Sequence, residues 1–135
     1  MSMIPNKRAG EYVPLTQGGH FMRKFHHFGL PTNQKQPDET YVEATKVWVT
    51  DPMKHPQKIE FLRYEPDTPV KNAVRTMPHI AFATDDMGPE IEGCPVLLGP
   101  FDAMPGLRVV FVEKDGAVME FMEFAPGMDW GAADN

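Results

Sequence analysis

The sequence predicts an α+β fold in which strands dominate and one structural unit occurs twice. Three observations lead there. The run His27-Phe28-Gly29-Leu30-Pro31-Thr32-Asn33 is echoed by His79-Ile80-Ala81-Phe82-Ala83-Thr84-Asp85. The run Ile59-Glu60-Phe61-Leu62-Arg63-Tyr64-Glu65-Pro66 is echoed by Met119-Glu120-Phe121-Met122-Glu123-Phe124-Ala125-Pro126. Between and around these runs, β-branched and aromatic segments are frequent and helix signals are few.

Taken in order, residues 1–22 are polar and rich in Gly, Pro and basic side chains, and read as an N-terminal arm. The first unit spans residues 23–66. It opens on the His27 strand and continues with Lys46-Val47-Trp48-Val49-Thr50. Lys58 to Glu65 alternates and pairs with that run as a hairpin, across the turn chemistry of Asp51-Pro52 and His55-Pro56. Asp38 to Thr45 reads either as a helical turn or as an extension of the following strand. Residues 67–78, with Pro69 and Pro78, form a joint. The second unit spans residues 79–126. After its His79 strand, Asp85 to Gly93 has acidic residues near its start and Gly at its end, which suits a short helix. Pro95 to Leu98 is a short strand. Leu107 to Glu113 and Ala117 to Phe124 flank Lys114-Asp115-Gly116, and Asp-Gly between apolar strands marks a tight hairpin. Residues 127–135 form a small acidic tail in which Trp130 is the one residue with a surface to dock.

Bulk properties narrow the classes. The chain has 135 residues, enough for one compact domain of two half-size units, and a hydrophobic fraction of 41%. Thirteen basic against nineteen acidic residues give a net charge of −6, without a basic stripe, so no nucleic-acid partner is expected. Cys94 is the only cysteine. It excludes an internal disulfide and a cysteine-built zinc site, and a buried thiol is its ordinary role. No membrane span is expected, and the start of the chain lacks the apolar run of a signal peptide, which points to a cytoplasmic location.

Strand alternation puts His27, Gly29 and Pro31 on one face and Phe28 and Leu30 on the other. His79, Ala81 and Ala83 repeat the arrangement, with Ile80 and Phe82 opposite. Each histidine therefore stands beside small residues that leave room above the ring. Glu60 aligns with Leu62 and Tyr64, and Glu120 with Met122 and Phe124. A carboxylate among apolar neighbours is costly to leave unpaired, and a metal ion removes that cost. His27, Glu60, His79 and Glu120 are thus candidate metal ligands, a set suited to a divalent cation. His26 competes with His27, and the repeat favours His27. His20 and His55 read as solvated, and Glu65, Glu113 and Glu123 as exposed strand charges. Asp85-Asp86 reads as a helix cap, and Met104, Met119 and Met122 as adaptable core. Arg63, Arg75 and Arg108 are candidate clamps for a substrate carboxylate or phosphate, each with surface solvation as the plainer role.

The segments Phe25-His26-His27-Phe28-Gly29-Leu30 and Pro78 to Asp86, with the closing hairpin Val109 to Glu123, resemble modules of the vicinal-oxygen-chelate superfamily, which includes glyoxalase I, bleomycin-resistance proteins and extradiol dioxygenases. The resemblance implies two tandem βαβββ modules whose mixed sheet curls around a metal-centred cavity. The first is abbreviated in its helix, because the His-to-Glu interval is shorter there (27 to 60) than in the second unit (79 to 120). It implies His27, Glu60, His79 and Glu120 as ligands of Ni, Zn, Fe, Mn or Co, with Glu120 or Glu60 also acting as catalytic base. The implied activity is a glyoxalase-like lyase or isomerase acting on a small oxygen-rich metabolite by chelation and enediolate stabilisation. An Fe(II) ring-cleaving dioxygenase using His27, His79 and Glu120 is the alternative, and a non-catalytic drug or metabolite binder a third. A homodimer is the oligomer the resemblance implies.

Overall fold

The computed structural model describes residues 23–131; the expected arm 1–22, with His20, and the end of the tail, 132–135, lie outside them. Eight strands form one mixed sheet: β1 Arg23–Pro31, β2 Thr40–Val42, β3 Val47–Val49, β4 Ile59–Tyr64, β5 His79–Thr84, β6 Val96–Met104, β7 Leu107–Lys114 and β8 Ala117–Phe124. Helix is scarce among the described residues: α1 Ala73–Thr76, α2 Gly88–Ile91 and a 3-10 turn at Pro52–Lys54. The strand order is β2-β3-β4-β1-β5-β8-β7-β6.

The sequence repeat is visible in the pairing. β1 runs parallel to β4, the last strand of its unit, and β5 runs parallel to β8. The two opening strands then meet antiparallel at the centre of the sheet. Phe28 lies opposite Ile80, its own counterpart in the repeat, and His27 opposite Ala81 mirrors Gly29 opposite His79. A local two-fold axis therefore passes through the Phe28–Ile80 pair and relates the units. The sheet curls into a half-barrel. Residues from both of its ends, Val42 and Val47 on one side and Leu98 and Phe101 on the other, line one shared cavity.

Local chemistry accounts for the elements. Asp115 and Gly116 both take positive φ, 55° and 77°, as a two-residue turn between twisted strands requires. The first unit lacks a helix between β1 and β2, where the second has α2 between β5 and β6. The segment Asp38 to Thr45 contains β2 followed by a turn rather than a helix, and the joint contains α1. β6 continues well beyond Leu98, through Met104.

The concave side is filled by Ala81, Ala83, Leu107, Val109, Phe111, Met122 and Phe124, with Val74 of α1 inserted among them. On the convex side of the second unit, Val110, Val112 and Phe121 are buried with Met87, and Ile91 of α2 packs against them. Burying a side chain such as Phe121 contributes about 1.5–3 kcal/mol. Glu123, expected as an exposed charge, is half-buried and accepts the Met87 N–H at 2.9 Å, which fixes the start of α2. The N-cap of α2 is Met87 rather than Asp85 or Asp86, and Asp86, one residue ahead of it, accepts from the Gly88 N–H at 3.0 Å. Glu65 is likewise not free: it accepts from Trp48 Nε1 at 2.7 Å. Among the described residues, the first unit has only the 3-10 turn Pro52–Lys54 and no α-helix beside β1 and β4, and Phe28 is 42% exposed there. No helix among the described residues is long and apolar enough to cross a membrane.

Candidate metal centre

The register of the central strands builds the site. Glu60 pairs with Gly29, which pairs in turn with His79; Glu120 pairs with Ala81, which pairs with His27. Each row thus places a carboxylate and an imidazole at its ends with a small residue between them. The small residue matters. A Cβ added at Gly29 would fall inside the His79 ring, so the imidazole folds directly over the backbone.

The long side chains at the row ends converge. His79 Nε2 is 3.1 Å from Glu120 Oε1, and His27 Nε2 is 3.4 Å from the same oxygen. Glu60 Oε1 is 3.4 Å from His27 Nε2 and 3.9 Å from His79 Nε2. His27, His79 and Glu120 are buried and form the tighter group, one that could hold a metal ion, while Glu60 is half-buried beside it. All four come from one chain. Metal–donor bonds of about 2.1 Å imply donor–donor separations of about 3.0–3.4 Å, so these spacings suit a shared cation.

Hydrogen bonding points the same way. His26 Nε2 meets the Trp130 carbonyl at 3.1 Å, and a carbonyl only accepts, so this nitrogen carries the proton. Burial, then the charge of His27, lowers the pKa of His26 and keeps it neutral. Its Nδ1 is therefore an acceptor, and His27 Nδ1 donates to it across 2.7 Å. That leaves His27 Nε2 facing two carboxylates. Nε2 of both histidines and Nδ1 of His79 are buried and have no hydrogen-bond partner among the described residues. Lone pairs of nitrogen and carboxylate oxygen pointing at one another require a cation between them. In the metal-free protein a proton serves. Burial alone would lower the His27 pKa, but Glu120 and Glu60 outweigh it and hold the pKa at about 10. Burial raises the Glu120 pKa, and His27 and His79 overcome that to place it well below the usual carboxylate range.

The repeat favours His27 over His26, yet His26 is buried and directly supports it. The cause is a β-bulge: the β1–β5 register shifts between Phe25 and His27, which turns both histidines to the concave side. Trp130 does dock, stacking on Phe124 with ring centroids 6.0 Å apart.

The cavity beside the cluster measures about 610 Å3 and has Glu60 and Glu120 in its wall, with Tyr64, Leu62, Val109 and Phe111 around them. None of the arginine candidates is among the residues that line it. Arg63 is engaged by both carboxylate oxygens of Glu39 at 2.9 and 2.7 Å and covers Trp48. Arg108 is exposed, 3.8 Å from Asp102. Arg75 lines a separate hollow of about 300 Å3 with Thr32 and Asn33. His55 is half-buried rather than fully solvated, its ring edge against Phe61. Cys94 is half-buried beside the convex core, apart from the cluster.

No protein-family model matches this chain, and no curated protein matches it. Among solved structures, it is similar to the crystal structure of a hypothetical protein, BH1468 from Bacillus halodurans C-125. The two superpose with a TM-score of 0.55 at 17% identity, over 79% of this chain and 98% of that one. At such identity the likeness shows a shared fold: a curled sheet of the half-barrel kind.

Proposed function

We propose that this protein is a divalent-metal-dependent lyase or isomerase of the glyoxalase-like kind, in the vicinal-oxygen-chelate superfamily, acting on a small molecule with two adjacent oxygens. The observation that carries the reading is the convergence of His27 Nε2, His79 Nε2, Glu120 Oε1 and Glu60 Oε1 in a cluster where neither Nε2 has a hydrogen-bond partner among the described residues. A bound divalent ion would polarise a substrate carbonyl and offset negative charge developing on its oxygens.

The residues divide the remaining work. His27 and His79 are held from behind, one by His26 and the other over Gly29, and act as fixed anchors. Glu120 lies close to both rings. Glu60 is looser and opens on the cavity, so its carboxylate is the better placed to swing toward a substrate carbon and take its proton. Tyr64 and Phe111 wall the same space and limit water there.

Metal analysis of purified protein, combined with assays of Glu60→Gln and Glu120→Gln, tests the reading. Retained metal with lost turnover is expected for the first variant and lost metal for the second. Full turnover in both would overturn it.

A second reading has its own support. The tighter group alone, His27, His79 and Glu120, is a two-histidine, one-carboxylate set of the type used by non-haem Fe(II) oxygenases. Oxygen consumption by the iron-loaded protein in the presence of catechols separates the two.

A further inference from the structure

Resting on the metal-chelation reading above, we infer that the substrate is an uncharged molecule with its adjacent oxygens at one end and an apolar body behind them. The composition of the cavity carries this. Its wall is largely aliphatic and aromatic: Val47, Val49, Leu62, Leu98, Val109 and Phe111 face the space next to the carboxylates. Among the described residues that line it there is no lysine and no arginine. Its charged groups are Glu60, Glu120 and, at the rim, Asp102, whose side chain is 78% exposed.

Charge balance sharpens the argument. Two neutral imidazoles and two carboxylates cancel a divalent cation, so the occupied centre has no positive charge left for a substituent elsewhere on the ligand. A carboxylate or phosphate on that body would be buried beside like charges, with no lysine or arginine among the described lining residues to pair it, and burying an unpaired charge is strongly unfavourable. The arginines nearest to the cavity are engaged or outside the wall. Arg63 is bound to Glu39, Arg75 occupies the neighbouring hollow beyond the shared wall of Leu62 and Tyr64, and Arg108 stands in solvent 3.8 Å from Asp102 at the rim, away from the apolar interior. An apolar body instead gains from each methylene removed from water.

Three hydroxamates titrated calorimetrically into the zinc-loaded full-length protein test this, because each offers the same pair of adjacent oxygens. Acetohydroxamate has no body, octanohydroxamate has an apolar one, and the monohydroxamate of suberic acid ends a similar chain in a carboxylate. Octanohydroxamate should bind at least about tenfold tighter than either of the others. Leu98→Arg, which places a cation in the wall, should shift the preference toward the carboxylate-ended probe. Equal binding of octano- and acetohydroxamate, or tighter binding of the carboxylate-ended probe to the unaltered protein, overturns the inference. A zinc-independent arm uses N-phenyl-1-naphthylamine and its sulfonated counterpart, 8-anilinonaphthalene-1-sulfonate, on chelator-treated protein. The neutral dye should bind more tightly and be weakened by Leu98→Arg. If zinc does not bind while the neutral dye still prevails, the metal reading falls and the preference for an uncharged body stands. If the sulfonated dye prevails, the inference falls whatever zinc does.

Discussion

The Nδ1 atoms of His26 and His27 lie 2.7 Å apart, an arrangement open to two adjacent residues of one strand only because a bulge turns both to the same side. His26 passes the constraint on to the Trp130 carbonyl. The tail thus sets which nitrogen of His27 faces the carboxylates. Replacing His26 by Phe removes the acceptor while keeping a ring in place, and metal affinity should fall by about 10–100-fold. Competition with a chelating dye measures it. An unchanged affinity would mean that His26 only fills space.

Gly29 is required by the His79 ring rather than by the backbone of β1. Gly29→Ala should push the imidazole out of its place, destabilise the metal-free protein by about 1–3 kcal/mol, and weaken metal binding in parallel. Urea unfolding and metal titration on the same variant read the two effects. A stable variant with normal affinity would show that the ring moves freely.

The cluster makes pH dependence run in a defined direction. His27 in the metal-free protein has its pKa raised from 6.5 to about 10. Its contribution to stability is therefore complete below pH 6.5 and is lost as pH climbs through 10. Glu120 has its pKa lowered from 4.5, so its contribution is present above pH 4.5 and is lost on acidification below that. The melting temperature of metal-free protein should accordingly show the cluster's full effect between these two limits and decline on the alkaline side. Metal must displace the His27 proton, so affinity should rise about tenfold per pH unit from neutrality toward pH 10. A flat affinity profile, or rising metal-free stability through the alkaline range, would contradict the assignment of the proton to His27.

The carboxylates should separate in their effects. Glu120→Gln should weaken metal binding more than about a hundredfold, since Glu120 lies close to both imidazoles. Glu60→Gln should leave most of the affinity and lower turnover by about 10²–10⁴-fold on a confirmed substrate. Metal content and steady-state kinetics distinguish them, and reversed effects would exchange the two roles.

Much of this arrangement is legible from one-dimensional pattern because the pattern is local. Alternation places His27, Glu60, His79 and Glu120 on faces that the parallel β1–β4 and β5–β8 pairs make common, and Asp115-Gly116 marks its own turn. The small residues at Gly29 and Ala81 likewise announce room for the rings. What escapes the sequence depends on distant partners. His26 turns inward through a bulge that alternation does not foresee. Glu123 is taken up by the Met87 amide, and Arg63 by Glu39 from the β1–β2 connection. Among the described residues no α-helix of the first unit corresponds to α2 of the second, and Phe28 is exposed there.

Anomalous diffraction from crystals of metal-loaded protein bears most directly on the shared centre. One peak per chain should appear within bonding distance of His27 Nε2, His79 Nε2 and Glu120, with Glu60 alongside. A peak bound elsewhere, or full loading of a His27→Ala/His79→Ala double variant, would show that these groups do not converge on a metal.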